Sequence, residues 1–176
     1  MSSTLRVNEL QNLNGTSAMA IHNSGLILPK IPILQVNATD IDQSLSAGTN
    51  TKIQWENVEI DTIGGWDSSN HRYTPTVAGY YLMGGVVRYN FPSDVEYVIL
   101  SINKNGSTVD AEDLRTQYNH GSDTIDNGSY PMPTGYMFMN GTSDYVEIYT
   151  SSDETATIHD SAIPKSYFFS QLVHAT

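Results

Sequence analysis

The side chains that could carry chemistry in this sequence are five histidines, nineteen carboxylates and a large set of aromatic rings. The histidines are His22, His71, His120, His159 and His174. No two of them form a His-x-x-x-His pair. Zinc needs three or four converging ligands, and a chain without cysteine has no thiolate to offer. His159, Asp160 and Ser161 adjoin like fragments of a triad, but triad members meet in space, and adjacency along the chain gives them no common geometry. There is no Gly-x-Ser-x-Gly elbow and no phosphate loop. An enzyme is therefore not expected, and no catalytic residue is assigned. A depolymerase would need a paired-carboxylate cleft, which this chain would have to assemble between subunits.

The carboxylates gather in Asp110, Glu112 and Asp113, and again in Asp123 and Asp126. Calcium takes six to eight oxygens from such groups and from loop carbonyls. The spacing is not that of an EF-hand loop, and a solvated acidic loop is the preferred account. No cofactor is expected, with calcium the one ion the composition would suit. Loop residues Trp66, His71, Tyr118 and His120 could stack against sugar rings, since function concentrates on loops carried by a rigid scaffold. His71, Tyr118 and His120 are the candidate glycan-binding residues. The Asn-x-Ser/Thr triplets, such as those starting at Asn37 and Asn140, read as turn chemistry.

These groups need elements to position them. The chain has 176 residues, enough for one domain and a short extension. Eight basic against nineteen acidic residues give a net charge of −11, which disfavours nucleic acid and anionic membranes as partners. No stretch approaches the roughly 18 apolar residues of a membrane-spanning helix, and no secretion signal is visible at the start.

Residues 1–30 carry short apolar pulses between Asn14-Gly15 and Ser24-Gly25 turns. Val7, Leu10 and Leu13 are expected on one face of a short helix. Residues 18–21 and 26–28 read as two short strands. This is too little apolar surface to stand alone, so Val7, Leu10, Leu13, Ile21, Leu26 and Leu28 are expected to anchor the segment on something else. Pro29 and Pro32 mark the boundary, with a second domain over 31–176.

Beyond it the pattern is alternation and turns. Strands are predicted over residues 33–36, 51–55, 58–60, 71–74, 80–91, 96–103, 136–140, 144–150 and 166–173, with one weak strand inside the polar stretch 107–130. Tyr81, Met83, Val87 and Tyr89 share one face, as do Val98, Leu100 and Ile102. Gly84-Gly85 suggests a bulge or a close backbone approach. Asn105-Gly106 is a hairpin signal. Many short strands without a long helix mean an all-β sandwich or barrel, and the long polar connections favour a jelly roll. Tyrosine dominates the aromatic set, 11 against 4 Phe and 2 Trp. Tyr80, Tyr97, Tyr136, Tyr145 and Tyr149 fall opposite the core positions. Tyrosine buries a ring while its hydroxyl finds a partner, so these five are expected at a subunit interface. Scattered surface aromatics are the alternative.

Residues 55–173 resemble the complement/tumour-necrosis-factor-like (C1q-like) jelly-roll superfamily. The resemblance rests on Tyr73, Pro75, Gly79 and Tyr81 in an aromatic–proline–glycine–tyrosine segment, on Lys104-Asn105-Gly106 after an apolar strand, and on Asp144-Tyr145-Val146 after Gly141. Ser143 departs from the glycine usual there. The aromatic strand around Phe168 and Phe169 closes the series. This resemblance implies a homotrimer. The opening of the chain, residues 3–32, resembles openings of structural proteins of tailed phages, cyanophages especially. That implies a virion protein assembled in the host bacterial cytoplasm: a fibre or capsid decoration attached to other virion proteins through residues 1–30. A receptor-binding adhesin for host surface glycan is the alternative.

Overall fold

The computed structural model describes residues 9–11, 17–21, 27–29, 31–38, 42–92, 94–106, 113–120, 128–158 and 166–176. The chain divides into two compact units, Met1–Ile31 and Pro32–Thr176. In the first, three short strands form an antiparallel sheet: β1 (Glu9–Gln11), β2 (Ser17–Ile21) and β3 (Ile27–Pro29). Leu10 pairs with Met19, and Met19 in turn with Pro29. The helix expected through Val7, Leu10 and Leu13 is corrected by this pairing, because Leu10 lies in β1. So short a helix would bear the full cost of nucleation with few propagating bonds to offset it, whereas an extended segment finds a ladder partner in β2. Ile21 and Leu28 lie in β2 and β3. Val7, Leu13 and Leu26 fall outside the described residues.

The second unit is a two-sheet sandwich without a helix among the described residues. Its strands are β4 (Ile33–Asn37), β5 (Gln43–Leu45), β6 (Thr51–Lys52), β7 (Asn57–Asp61), β8 (Trp66–Asp67), β9 (Arg72–Tyr73) and β10 (Gly79–Asn90). They continue with β11 (Tyr97–Lys104), β12 (Leu114–Asn119), β13 (Gly128–Pro131), β14 (Gly135–Met139), β15 (Val146–Ser152), β16 (Ala156–Ile158) and β17 (Tyr167–Ala175). The first sheet runs β5-β16-β10-β17-β4-β7, with β13 and β14 on the other side of β10. The second runs β12-β11-β15-β9-β8, with β6 also on β15. Neighbours in space are distant in sequence, as the winding of a jelly roll requires.

Alternation sets the core. Tyr81, Met83, Val87 and Tyr89 of β10 are buried, as are Val98, Leu100 and Ile102 of β11, Val146 and Ile148 of β15, and Phe168 of β17. Fully burying a side chain of this kind contributes about 1.5–3 kcal/mol. Tyr89 spans the two layers, its hydroxyl 2.6 Å from Thr150 Oγ1, and the Tyr81 hydroxyl donates to the Val77 carbonyl at 2.8 Å. Burial raises the pKa of both phenols, that of Tyr81 to about 12. These tyrosines are therefore neutral structural donors at any ordinary pH. β15 is buried over most of its length on both faces.

Two edges are closed in different ways. Along β12, Leu114 packs over Gly135, where an added Cβ would come within 2.9 Å of Leu114 Cδ2. There too the Tyr118 hydroxyl donates to the Pro131 carbonyl at 2.6 Å. At the β7 edge the register slips by one residue, so Gln35 opposes Ile60 while Val36 opposes Val58. The skipped Glu59 accepts hydrogen bonds from Asn37 Nδ2 at 2.9 Å and from Asn57 Nδ2 at 2.8 Å.

The polypeptide enters this sandwich at the Gly79 end of β10. There the Pro32 carbonyl accepts from Leu172 N–H at 2.9 Å and the Ala78 carbonyl from Thr176 N–H at 3.1 Å. The Asn90 end lies about 35–40 Å away at the usual rise per strand residue.

Candidate interaction face

Positions that alternate with the core on the first sheet point outward, and there the sequence keeps large apolar rings. Tyr80 is 47% exposed, Tyr136 64%, Phe138 39% and Tyr167 37%, with Ile60 at 44% on the edge. The register gathers them: Tyr80 sits opposite Phe138, Leu82 opposite Tyr136, and Val86 opposite Tyr167. The Tyr80 and Phe138 rings pack with centroids 5.5 Å apart. Phe169 lies against Gly84, where an added Cβ would meet its ring at 3.2 Å. On β4 the outward positions are Ile33, Gln35 and Asn37, and on β17 Gln171 joins Tyr167 and Phe169. Among the described strand residues of this sheet, the charged groups at outward positions are Arg88 and, in the bulge, Glu59. A chain of net charge −11 thus keeps, among its described residues, one aromatic sheet face with few charges. Exposed apolar surface of this kind marks an interaction site.

The five tyrosines expected at an interface divide between the sheets. Tyr80 and Tyr136 lie on this face. Tyr97, Tyr145 and Tyr149 belong to the second sheet or its margin. Tyr149 is only 8% exposed and its hydroxyl donates to Glu147 Oε2 at 2.8 Å, while Glu147 is paired with Lys52 at 3.1 Å. The Arg72 guanidinium lies 4.7 Å over the Tyr145 ring. Tyr97 is half-buried opposite Asn119. Phe138, Tyr167 and Ile60 were not anticipated. Parity would have found the first two: Phe138 is two residues from Tyr136, and Tyr167 precedes the inward Phe168.

The glycan candidates also separate. His71, at φ +46°, hydrogen-bonds the Trp55 carbonyl through Nδ1 at 3.1 Å, beside the Val146 end of the second sheet. Tyr118 and His120 lie at the other end, where both rings pack edge-on to Tyr130 with centroids 5.4 and 5.5 Å away. Six ladder steps, roughly 20 Å, stand between the two groups. Trp66 packs against the core. Of the acidic cluster, Asp110, Glu112, Asp123 and Asp126 lie outside the described residues, as does His159. Asp113 accepts from Lys104 N–H at 2.7 Å. Among the described residues no group of three or more His, Asp or Glu converges as metal ligands do.

A polar knot underlies the rim of the aromatic face. Asp144 accepts from Asn105 Nδ2 at 3.0 Å and from Asn140 N–H at 3.0 Å, and pairs with Lys104 Nζ at 3.1 Å. Lys104 Nζ also lies 5.7 Å from the Phe138 ring centroid. Burial acts to raise the pKa of Asp144, but the hydrogen bonds from Asn105, Lys104 and Asn140 outweigh it and hold the group below its ordinary 3.8. A depressed folded pKa stabilises the fold above the unfolded value, and that contribution disappears as pH falls through the folded value. Asp144→Ala is therefore expected to cost about 3 kcal/mol at neutral pH by removing the buried acceptor shared by Lys104, Asn105 and Asn140. Thermal melts of the two proteins should converge as pH drops well below 4, where the native carboxylate protonates.

No family model matches the sequence, and no curated protein matches it. Solved structures do match. Eiger TNF from S. frugiperda aligns over 83% of this chain and 94% of its own, at 10% identity and a TM-score of 0.59. Murine APRIL aligns over 81% of this chain and 99% of its own, at 10% identity and a TM-score of 0.55. The globular domain of zebrafish complement 1qA aligns over 82% and 99%, at 11% identity and a TM-score of 0.49. The first two establish the fold as an all-β jelly roll of the tumour-necrosis-factor kind.

Proposed function

We propose that the chain is a non-enzymatic structural protein of a tailed-phage virion, a fibre or decoration protein. In this reading the jelly roll is a homotrimeric head, and residues 1–30 fasten it to other virion proteins. The observation that carries the assembly is the aromatic, nearly uncharged outer face of the first sheet. Self-association through any acidic surface would bring like charges together, and this face is where copies can meet without that cost. The fold supports the same reading, since jelly rolls of this superfamily associate in threes. The virion assignment rests on the likeness of residues 3–32 to phage structural proteins. Removing residues 1–30 should leave a soluble trimer, by light scattering, that no longer incorporates into particles. Continued incorporation would defeat the anchoring role.

A second reading, a receptor-binding adhesin for host surface glycan, has one observation in its favour. Tyr118 and His120 converge on Tyr130 at the end of the sandwich farthest from the point where the polypeptide enters it. Function concentrates on the rims and loops that a rigid scaffold carries. Blocking of phage adsorption by the isolated head tests this reading.

A further inference from the structure

The outer face of the first sheet has two halves of different chemistry. Towards β14 its large outward groups are rings: Tyr136 and Phe138 on β14, Tyr80 on β10, and Tyr167 and Phe169 on β17. Towards β7 they are carboxamides: Gln35 and Asn37 on β4, and Asn57 on β7. These amides are tied to one another and to Glu59. Gln35 Nε2 donates to Asn37 Oδ1 at 3.5 Å. Asn37 Nδ2 donates to Glu59 Oε1 at 2.9 Å, and Asn57 Nδ2 to the same oxygen at 2.8 Å. A strip bonded in this way offers flat amide surface that rings can cover while leaving few hydrogen bonds unmet.

The charges divide along the same line. Arg88 belongs to the ring half, on β10 opposite Ser129. Its Nη1 is buried and meets no acceptor among the described residues. Glu59 belongs to the carboxamide half and is exposed. Within one copy the two cannot meet. β17 and β4 stand between β10 and β7, a separation of about 14 Å at the usual strand spacing. Gly85, Phe168, Val36 and Val58 share one rung of the ladder. Arg88 lies three residues beyond that rung and Glu59 on its other side, which adds about 10 Å or more along the strands.

We propose that copies of the chain join head to tail through these two halves: the rings of one copy lie on the carboxamides of the next, and Arg88 of one pairs with Glu59 of the next. A single self-matching patch pairs two copies about a twofold axis, whereas a closed ring of three needs two unlike surfaces on every subunit. The ring half and the carboxamide half are two such surfaces, of opposite charge. Their contact gives the Arg88 guanidinium an acceptor and neutralises the one carboxylate that it covers. The inference rests on the homotrimer reading and names the surfaces that meet.

The test is sedimentation of full-length variants over a dilution series. Arg88→Glu and Glu59→Arg should each weaken the assembly about tenfold or more, since each sets like charges against one another in the contact. The chain carrying both substitutions should regain most of the loss, because the charges are then exchanged; a folding defect would not be rescued in this way. Mixing gives a second measurement. A chain with Tyr136→Asp and Phe138→Asp keeps a sound carboxamide half, and Glu59→Arg keeps a sound ring half. Together they should form a one-to-one dimer, of twice 19.4 kDa. A trimeric unaltered protein whose exchanged variant fails to recover, and whose mixture stays monomeric, overturns the head-to-tail pairing and leaves the homotrimer standing. An unaltered protein that is itself monomeric overturns both.

Discussion

Tyr136→Asp combined with Phe138→Asp is expected to turn the proposed assembly into monomers of 19.4 kDa while leaving the jelly roll folded. Both positions are on β14 and point away from the core, whose inward residues on that strand are Met137 and Met139. Surface substitutions of this kind normally change the stability of the isolated subunit by less than about 0.5 kcal/mol, so far-ultraviolet dichroism should be nearly unaltered, and melting should fall only by the stabilisation that assembly lent the subunit. In a complex the outcome differs. An aromatic side chain buries on the order of 150–250 Å², of which about half is still open here. At about 25 cal/mol per Å², each ring would contribute roughly 2–3 kcal/mol per subunit. Replacement with an unpaired carboxylate adds a desolvation cost of several kcal/mol. Sedimentation velocity reads the result directly. Tyr97→Asp on the second sheet should leave the mass unchanged, and dissociation there instead would move the interface to the other side of the sandwich.

The second large effect is at Gly85. An added Cβ would collide with the Tyr167 carbonyl oxygen and stand 2.9 Å from Met132 Sδ and 3.0 Å from Phe168 Cα. The first and last of these are backbone atoms that no rotamer change can move. β17 pairs with β10 along this stretch, Gly85 opposite Phe168, so relief requires the two central strands to separate locally. Overpacking usually costs about 1–3 kcal/mol. With backbone as the obstacle, Gly85→Ala is expected to cost at least about 3 kcal/mol, or about 6–12 °C in melting temperature for a domain of this size. Gly48 is the control. It has φ +67° and nothing within 4 Å of an added Cβ, so Gly48→Ala should cost only the left-handed backbone penalty of about 1–2 kcal/mol. Equal losses at the two glycines would refute the close-approach argument.

How much of this was legible from residue order follows from the length of each element. β10, β11, β15 and β17 run seven to twelve residues, long enough for alternation to declare both the strand and its inward face. Tyr81, Met83, Val98 and Ile148 were placed correctly for that reason. β5, β8 and β16 have two or three residues each and show no period at all; they exist because a longer neighbour offers them a ladder. The helix expected near Leu10 failed through the same ambiguity, since a few apolar residues fit a 3.6-residue period as easily as a strand. For the interface, tyrosine content pointed to the right property but could not sort faces: Tyr80 and Tyr149 both oppose core residues, and only the assignment of their strands to different sheets separates them.

The slipped register at Glu59 has a consequence for the shape of any assembly. β7 is the open margin of the first sheet, and an open margin with a regular row of amides and carbonyls invites another chain to add as a further strand. Addition of that sort repeats without limit and yields filaments. Here the extra residue breaks the row, and a carboxylate engaged by Asn37 and Asn57 occupies the break. Growth along this margin is discouraged, which favours face-to-face contact as the route of association. Contact between faces can satisfy every subunit in a closed ring, which gives a particle of fixed stoichiometry in place of an open-ended fibril.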